Sequence, residues 1–529
     1  MKTRDKKYLL ILITLLIGFF LRSIILWQNI EILIQKILID DAFIAFSIAK
    51  NIANKNLVSF DGVSITNGFQ PLWVFIIAPL FKIIQNDSVI HLVLTASAML
   101  DTLTIFLMYR IGRIIYNHKV GILCSIIYAI NPLFIFFTLN GIEVSLTIFL
   151  INLSLLYLFS IKNFTFFKSI LLGTILGLTI LSRMDSVFLI IGSFAFVIIK
   201  FRKNASQIFK YIIIVVISII IVISPWFIWN YINFETFLPS SGKAVYKLGH
   251  MICNVNKCND AELINILVKN LSTGIFLIIY YFGPINITPI NIILAISVVY
   301  FLVSSIKNKN IILLPQLTYV GFILLFYSLY MWRLDLRYFT ASSSILLVTL
   351  CDGIFLFAEG LKNNKRLVAS LIFAILLTQI IINGYKEWTR GYTPWQTMMY
   401  EGSLWIKNNT GKDVVVSSFN SGLIQYYSQR RTINLDGVIN FEAIKSIENK
   451  NVTDYIKSKN STYFLDAILD IKSDISDKNA GLWEVNLWTS YMGKNYENFL
   501  KIIKTEMREF ETVSGDNMKV IFFIARVIN

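Results

Sequence analysis

The sequence is poor in charged residues, which make up 15% of its 529 residues, whereas 56% are hydrophobic. A soluble protein of this length carries roughly a quarter charged residues. The shortage excludes an ordinary soluble enzyme, and repeated apolar runs of about 20 residues predict helices that cross a bilayer. The mean hydropathy of +0.65 agrees with a polytopic α-helical membrane protein.

Cysteine is also scarce, with four residues in the whole chain. Cys124 and Cys351 fall inside apolar runs, while Cys253 and Cys258 flank a short polar stretch and either form a local disulfide or remain free. Such sparse cysteines without histidine partners exclude a zinc site. Lys243 follows a glycine but lacks the G-x-x-x-x-G-K spacing of a P-loop. Internal repeats and low-complexity tracts are absent from the sequence.

Basic residues outnumber acidic ones and give a formal net charge of +16. Many of them lie in short clusters between apolar runs, at residues 2–7, 200–203 and 362–366. This is the positive-inside pattern, which places those loops in the cytoplasm. The positive charge is therefore better explained by membrane topology than by nucleic-acid binding.

With the N-terminus inside, we predict about 11 to 13 transmembrane helices. The first external loop covers residues 29–70 and contains an in-plane amphipathic helix at 42–52. Residues 71–84 are short for a span, so they either re-enter or cross the membrane. Re-entry places Arg110, Arg113 and Lys119 in the cytoplasm, whereas crossing places them outside.

The composition changes at residue 385, after which polar and charged residues become common. Short β-branched runs, such as that at residues 413–418, alternate there with stretches of helical character. We therefore predict a membrane domain at 1–384, followed by an extracytoplasmic α/β domain at 385–529.

Ionisable residues in the outward-facing loops are the candidate functional group: Asp40, Asp41, Glu143, Arg183, Asp185, Lys243, Asp335 and Arg337. An ionisable group at a membrane is costly to keep there and is a functional-site hypothesis by default. Cations gathered at one membrane face can hold a phosphate. Of two adjacent carboxylates, one tends to have a raised pKa, which suits a general base.

Most of these residues also have a structural explanation. Arg183 and Asp185 could form a helix cap or an interfacial anchor. Glu143 could cap the helix that follows it, and Lys243 could be an ordinary loop lysine. The adjacent aspartates at 40 and 41 are the hardest to explain in this way, because they lie against an apolar segment without a nearby cation.

The first external loop carries several short motifs. Residues 40–44 read DDAFI, residues 49–52 AKNI, residues 60–62 FDG and residues 66–73 TNGFQPLW. Further motifs are GIE at 141–143, RMD at 183–185, PW at 225–226, PSSGK at 239–243 and NLDG at 434–437. Together these motifs resemble those of GT-C glycosyltransferases, and the likeness covers most of the chain. It is strongest to groups with a DDA(F/Y) signature, similar to bacterial terminal arabinofuranosyltransferases and more distantly to protein O-mannosyltransferases.

The resemblance implies a multi-pass glycosyltransferase of the plasma membrane. Such an enzyme would transfer a sugar from a polyprenyl-phosphate-linked donor to an extracytoplasmic acceptor, with inversion at the anomeric carbon. The acceptor would be a glycan, a glycolipid or a protein. The active site and the C-terminal domain would both lie outside the cytoplasm.

The resemblance also implies roles for individual residues. Asp40 is the first choice for the general base and Asp41 the second. The donor phosphate would be held by Arg337, Lys243 and Arg183. The sugar or acceptor would be oriented by Glu143, Asp185, Asn67 and Gln70. No residue is assigned to a metal, and a divalent ion stays an open alternative because only some members of the superfamily use one.

Two other classes of protein are alternatives. A transporter or lipid flippase would have charges buried in mid-span and inverted repeats, whereas the charges noted above gather at one face. A membrane-anchored receptor or scaffold whose external domain binds glycan would leave the two adjacent aspartates without a task. The glycosyltransferase is therefore the preferred hypothesis.

Overall fold

The computed structural model describes residues 3–255, 260–283, 311–330, 334–360, 365–392, 394–470, 499–511 and 517–528. The helices of its N-terminal part are α1 (Thr3–Leu26), α2 (Ile30–Lys36), α3 (Asp40–Lys55), α4 (Pro71–Ile83), α5 (Ser88–Ile115), α6 (His118–Ile130), α7 (Pro132–Thr138), α8 (Val144–Ser160), α9 (Phe166–Ser182), α10 (Phe188–Lys200), α11 (Ala205–Phe234), α12 (Ser240–Val255), α13 (Asp260–Tyr280), α14 (Leu314–Tyr330), α15 (Leu336–Gly360) and α16 (Lys365–Arg390). The predicted mostly helical fold is confirmed.

Five described helices are long and apolar enough to cross a membrane: Tyr8–Leu26, Ser88–Ile115, Ser206–Phe234, Ile311–Tyr330 and Leu336–Phe355. α6 and α7 form a sixth span if they are counted together, with a bend of 62° at Asn131 and Pro132. Proline lacks the N–H that would continue the helix, and the Asn131 side chain accepts from the Leu133 N–H instead. The side chains of Cys253 and Cys258, which form a local disulfide or remain free, lie outside the described residues.

The structure decides how α4 is arranged relative to its neighbours. The α4–α5 connection lies where α1 ends, because His91 Nδ1 is 2.7 Å from the Leu26 carbonyl oxygen. At the other end of α4, Trp73 donates its indole N–H to the Gly141 carbonyl, in the loop before α8. Both ends of α4 therefore lie at the end of the bundle that carries the first loop. Of the two alternatives for residues 71–84, this is the re-entrant arrangement, and it puts Arg110 and Arg113 at the opposite end.

A fully buried ion pair joins α1 to α5. Arg22 Nε donates to Asp101 Oδ2 at 2.6 Å, and both side chains have no exposed surface. Asp101 also accepts from the Tyr128 hydroxyl at 2.5 Å and from the Thr138 hydroxyl at 2.9 Å. The sequence had indicated that the charged residues gather at one membrane face. The buried Arg22–Asp101 pair shows that they are not confined to that face. The error arose because Arg22 and Asp101 each stand alone in an apolar run, and only packing makes them partners.

The helix predicted at residues 42–52 is present, but it does not expose one face as an amphipathic surface helix would. α3 begins at Asp40, and Ala42 to Ala49 are all buried. Phe46 packs against Phe81 of α4 and against Tyr426 of the C-terminal region, with ring centroids 5.9 and 6.2 Å apart. The expected exposed face was wrong, because a second apolar surface from the C-terminal region covers it. The in-plane orientation of this helix stays a prediction.

The C-terminal region forms a five-stranded sheet with flanking helices. Its helices are α17 (Trp395–Asn409), α18 (Gly422–Ser428), α19 (Phe441–Glu448) and α20 (Val452–Ser458), and its strands are β1 (Val415–Ser418), β2 (Arg431–Asn434), β3 (Tyr463–Asp470), β4 (Leu500–Glu511) and β5 (Asn517–Val527). The strand order is β2-β1-β3-β5-β4. β1 pairs in parallel with β2 and β3, whereas β5 is antiparallel to β3 and β4. The predicted α/β character is confirmed.

Hydrogen bonds connect this region to the first loop. Gln396 of α17 donates to the carbonyl oxygens of Ile34 and Leu38, and Arg431 of β2 forms an ion pair with Asp61 at 3.0 Å. Because these contacts flank α3, the sheet region forms a roof over the first-loop helix.

We expect the Arg22–Asp101 pair to be a major stabilising contact of the helix bundle. Asp101→Ala leaves Arg22 buried without its charged partner, which costs about 3–5 kcal/mol in comparable cases. The unfolding temperature of the purified protein in detergent should therefore fall markedly. The double variant Arg22→Leu/Asp101→Leu removes both charges and should recover part of the loss. An Asp101→Ala protein that unfolds like the wild type would contradict this account.

Candidate functional site

A cavity of about 1050 Å³ lies between the membrane helices and the C-terminal region. Its walls come from the first loop, the loops that precede α8, α10 and α12, the first turn of α15, and α19. The charged side chains that line it are Asp41, Glu143, Arg183, Asp185, Lys243, Arg337, Lys445 and Glu235. Most of the predicted candidate residues therefore meet in one place, although they are spread over hundreds of residues of sequence.

Asp40 and Asp41 are adjacent at the start of α3, but their side chains contact different parts of the protein. Asp40 is directed to the C-terminal region, where its carboxylate accepts from the backbone N–H groups of Gly422 and Leu423 at 3.0 and 2.8 Å. It thereby satisfies N–H groups at the start of α18. Asp40, the first choice for the base, is absent from the cavity wall, and the structure places only Asp41 there.

Asp41 forms an ion pair with Arg337 on the cavity wall. Arg337 Nη1 donates to Asp41 Oδ2 at 2.5 Å, and the two side chains are 20% and 48% exposed, respectively. Arg337 stands on the first turn of α15 and also donates to the Tyr338 hydroxyl at 3.2 Å. Its Nε is buried without a hydrogen-bond partner among the described residues. The pair therefore combines an accessible carboxylate with a guanidinium that has a donor to spare.

Glu143, Arg183 and Asp185 form a connected network on the wall formed by membrane helices. Arg183 donates to Glu143 Oε1 at 2.9 Å, to Asp185 Oδ2 at 2.9 Å and to the Tyr327 hydroxyl at 2.7 Å. Glu143 occupies the N-cap position of α8, as the structural alternative expected, but its side chain makes no cap hydrogen bond and instead pairs with Arg183. Two carboxylates already neutralise Arg183, which leaves it less free to bind a phosphate than the sequence predicted.

Lys243 lies on the first turn of α12, where the chain enters the cavity wall. Its Nζ is 4.6 Å from the centroid of the Phe441 ring, on α19 of the C-terminal region. Lys445, one turn further along α19, also approaches this ring, at 5.3 Å. The alternative of an ordinary loop lysine does not describe this position, because Lys243 lies at the junction of two regions and faces the cavity.

The TNG part of the first-loop motif holds the C-terminal region and the start of α12 in place through hydrogen bonds. The Thr66 hydroxyl donates to the Ile439 carbonyl at 2.7 Å, and Asn67 Oδ1 accepts from the Ser240 N–H at 3.0 Å. Gly68 lies so close to Val438 that an added Cβ would come within 2.0 Å of its carbonyl oxygen. Asn67 therefore orients backbone and is absent from the cavity wall. Gln70 does line the cavity, and its buried Oε1 has no partner within the described part of the chain.

Sequence reasoning missed several residues that complete the site. Tyr327 bridges Arg183 and Asp185, Tyr330 donates to the Gly242 carbonyl, and Lys445 lines the cavity. The tyrosines look like ordinary aromatics in an apolar run, and Lys445 like a solvated lysine on an amphipathic helix. The NLDG match gave the one usable signal, since Asp436 within it lies near Asp40 and Asp41.

Three carboxyl groups around the roof of the site are buried enough to hold protons near neutral pH. Burial raises the pKa of Asp40 to about 7, although the N–H groups of Leu423 and Gly422 oppose the shift and the Asp41 charge adds to it. Burial likewise raises the pKa of Asp436 to about 7 and that of Asp466 to about 6. Asp466 accepts from the Phe419 N–H and the Asn420 amide at the start of the β1–α18 loop.

No group of three or more His, Cys, Asp or Glu side chains able to hold a metal ion occurs in the residues for which the structure gives positions. Asp41 is paired with the Arg337 guanidinium, whose positive charge opposes a cation at this position, and Asp40 is occupied by the N–H groups of Gly422 and Leu423. The described side chains around Asp41 therefore do not fit a divalent cation, and no chemical step is assigned to one.

Comparison with known proteins supports a membrane glycosyltransferase fold. Residues 70–229 match the family of dolichyl-phosphate-mannose-protein mannosyltransferases, and residues 388–518 match a domain of unknown function. No curated protein sequence matches this chain.

Two solved structures are similar along nearly the whole chain. The oligosaccharyltransferase AglB from the archaeon Archaeoglobus fulgidus, in complex with an inhibitory peptide and a dolichol-phosphate, is 14% identical with a TM-score of 0.62, and the match covers 97% of this chain and 74% of AglB. ArnT from Cupriavidus metallidurans, bound to undecaprenyl phosphate, is 9% identical with a TM-score of 0.51 and 98% coverage of both chains. These similarities confirm the predicted GT-C fold, and the matched family consists of glycosyltransferases, as the sequence had indicated.

We expect Gly68→Ala to disturb the contact between the first loop and the C-terminal region. A methyl group there would overlap the Val438 carbonyl, and overpacking of this kind costs about 1–3 kcal/mol. Gly321→Ala is the matched control, because a Cβ at Gly321 in α14 meets no atom within 4 Å. The measurement is the unfolding temperature in detergent. Equal values for the two variants would contradict the tight contact.

We expect the stability of the protein to fall as the pH rises from about 4 to about 7. The folded-state pKa values of Asp40, Asp436 and Asp466 lie above the usual value of about 4 for an unfolded chain. The folded protein therefore binds more protons than the unfolded one in this window, so the free energy of unfolding decreases with pH and levels off above it.

Thermal unfolding in detergent at closely spaced pH values measures this slope. Asp40→Asn carries no titrating group at that position, so the slope of stability against pH should be smaller in this variant. Asp413→Asn, at an exposed position of the C-terminal region, should keep the wild-type slope. A rise in stability between pH 5 and pH 7 in the wild type would oppose the prediction.

Proposed function

We propose that this protein is a membrane glycosyltransferase that uses a polyprenyl-phosphate-linked sugar and an extracytoplasmic acceptor, with Asp41 as general base. The observation that carries the proposal is the position of Asp41, an accessible carboxylate in a 1050 Å³ cavity that also contains Arg337 and Lys243. This arrangement combines a proton acceptor with cations for an anionic leaving group.

The proposed donor follows from the composition of the cavity wall. Its cations suit a phosphate, and apolar side chains such as Val187, Phe188 and Leu238 suit an isoprenoid chain. Two proteins of the same fold have been solved with a dolichol-phosphate and with undecaprenyl phosphate, respectively.

The proposed reaction is a direct displacement at the anomeric carbon. The acceptor hydroxyl oxygen attacks that carbon while Asp41 takes the hydroxyl proton, and the bond to the carrier phosphate breaks with its electron pair. The phosphate leaves as an anion, so it needs a counter-charge but no proton. Arg337 and Lys243 supply this positive charge. Attack opposite the leaving group inverts the anomeric configuration.

The proposed roles of the remaining residues are for binding. Arg183 fixes the Glu143 and Asp185 carboxylates, which then accept hydrogen bonds from hydroxyl groups of the sugar or acceptor in defined directions. Gln70 also lines the cavity, and its amide oxygen has no hydrogen-bond partner among the residues the structure describes. Asn67 and Asp40 act through the docking of the C-terminal region rather than on the substrates.

We propose that the cavity and the C-terminal domain, with its boundary near residue 385, face the outside of the plasma membrane. The basic clusters near residues 200–203 follow α10 and lie at the opposite end of the bundle from the cavity, where the positive-inside rule places the cytoplasm. The site would then meet acceptors of the cell envelope.

The transporter alternative gains little from the buried charges of the bundle. Arg22 and Asp101 are paired, contact each other closely and lie outside the cavity wall. Structural neutralisation explains this pair without a transport pathway.

We expect Asp41→Asn to lower sugar transfer by 10²–10⁴-fold, since general-base catalysis contributes about that much. Purified protein is incubated with a panel of undecaprenyl-phosphate-linked sugars and an acceptor extract from envelope membranes. The measured product is free undecaprenyl phosphate, which every donor of the panel releases. Asp413→Asn, an exposed carboxamide substitution, is the matched control.

Asp40→Asn distinguishes the two aspartates. We expect a smaller loss of transfer that parallels a lower unfolding temperature, because Asp40 docks α18. Normal transfer by Asp41→Asn would refute its role as base. A larger loss in Asp40→Asn at unchanged unfolding temperature would return that role to Asp40.

A further inference from the structure

The Tyr327 hydroxyl is the third fixed partner of the Arg183 guanidinium. Arg183 donates from Nε to Asp185 Oδ2 at 2.9 Å, from Nη1 to Glu143 Oε1 at 2.9 Å and from Nη2 to the Tyr327 hydroxyl at 2.7 Å. The Tyr327 hydroxyl in turn donates to Asp185 Oδ2. Because a guanidinium is a planar fork, partners in three directions leave it no freedom to rotate.

The Tyr327 ring is held by its neighbours, so the position of its hydroxyl is fixed as well. Tyr327 is 4% exposed. Its ring stacks on that of Tyr338, with centroids 4.7 Å apart and an interplanar angle of 19°, and it packs edge-on against Phe326 and Phe339. A rotamer that is locked by packing gives its polar atom one position.

The same pair of rings connects this network to the proposed base. The Tyr338 hydroxyl accepts from Arg337 at 3.2 Å, and Arg337 also donates to Asp41 at 2.5 Å. The guanidinium carbons of Arg183 and Arg337 are 5.3 and 5.1 Å from the centroid of the Tyr338 ring, respectively. A sugar bound by the carboxylates around Arg183 would therefore lie next to Asp41.

The network belongs to the more enclosed side of the cavity. The side chains of Arg183 and Glu143 are 11% and 9% exposed, whereas that of Asp41 is 48% exposed. Val187 and Phe188, which closely follow this network in the sequence, line the cavity with apolar side chains suited to an isoprenoid chain. The substrate group nearest to the network is therefore the sugar on the lipid carrier, and the open side is left for the acceptor.

We propose that Tyr327 is a positioning residue that sets the preference for the donor sugar, an inference that rests on the proposed function. Its hydroxyl holds Arg183 and Asp185 in one arrangement. The Asp185 and Glu143 carboxylates then accept hydrogen bonds only from sugar hydroxyl groups that point in matching directions. A sugar with one hydroxyl of the opposite configuration would leave a buried carboxylate oxygen without its donor, which lowers its affinity.

The test measures binding to the purified full-length protein. The ligands are undecaprenyl-phosphate-linked sugars that differ in the configuration of single hydroxyl groups, with undecaprenyl phosphate as the sugar-free reference. The wild type should bind one of these donors more tightly than the others. Tyr327→Phe keeps the ring but removes the hydroxyl, so this preference should fall about tenfold, the effect of one hydrogen bond to a charged group. Binding of undecaprenyl phosphate should stay unchanged.

Tyr280→Phe is the matched control. Tyr280 is also buried and donates to a carboxylate, that of Glu387 at 3.0 Å, but it is absent from the cavity wall. It should keep the donor preference of the wild type. Arg183→Lys keeps the charge but loses the fork, so it should lower the preference as Tyr327→Phe does. The double variant should be no worse than either single variant, because both changes act on one network.

An unchanged donor preference in Tyr327→Phe would overturn the inference. An equal loss of undecaprenyl phosphate binding would also overturn it, because the hydroxyl would then act on the carrier or on the fold. If the preference among acceptors changes instead, the network binds the acceptor and the assignment to the donor sugar is wrong. A wild type that binds no donor more tightly than undecaprenyl phosphate would refute the proposed donor itself, whereas normal transfer by Asp41→Asn would refute only the general base.

Discussion

The docking of α3 against the C-terminal region is the contact on which the site depends. Asp40 accepts two backbone N–H groups at the start of α18, and this fixes the first turn of α3 in position and rotation. Asp41 follows directly and is thereby held in the cavity, opposite Arg337. A carboxylate used in this way is costly to bury, which its raised pKa expresses, but its hydrogen bonds offset the cost.

The chemistry of the cavity is divided between its walls. On the membrane-helix wall, the cations Arg183 and Arg337 are each held by carboxylates and leave ordered acceptor oxygens. On the side of the C-terminal region, Lys243 and Lys445 approach the Phe441 ring and form no ion pair within the described part of the chain. The two sides of the cavity therefore differ in charge, and the C-terminal region supplies part of the cavity wall.

The sequence predicted the class of fold because that information is local. Apolar runs, basic clusters and the DDAFI and TNGFQPLW motifs each depend on neighbouring residues, and the GT-C fold they indicated is confirmed. The Arg22–Asp101 pair was missed because it joins residues on separate helices. Lys445 was missed for the same reason, since nothing near it in sequence distinguishes it from a solvated lysine.

The sequence by itself determined that two adjacent aspartates stand at a membrane boundary, but not which of them lines the cavity. Successive residues of an α-helix point about 100° apart, so two neighbours at its start cannot share one environment. The rotation of α3 decides between them, and it is set by Tyr426, Gly422 and Leu423, which lie almost 400 residues further along the chain. Only the tertiary structure therefore decided that Asp40 docks the roof and Asp41 enters the cavity.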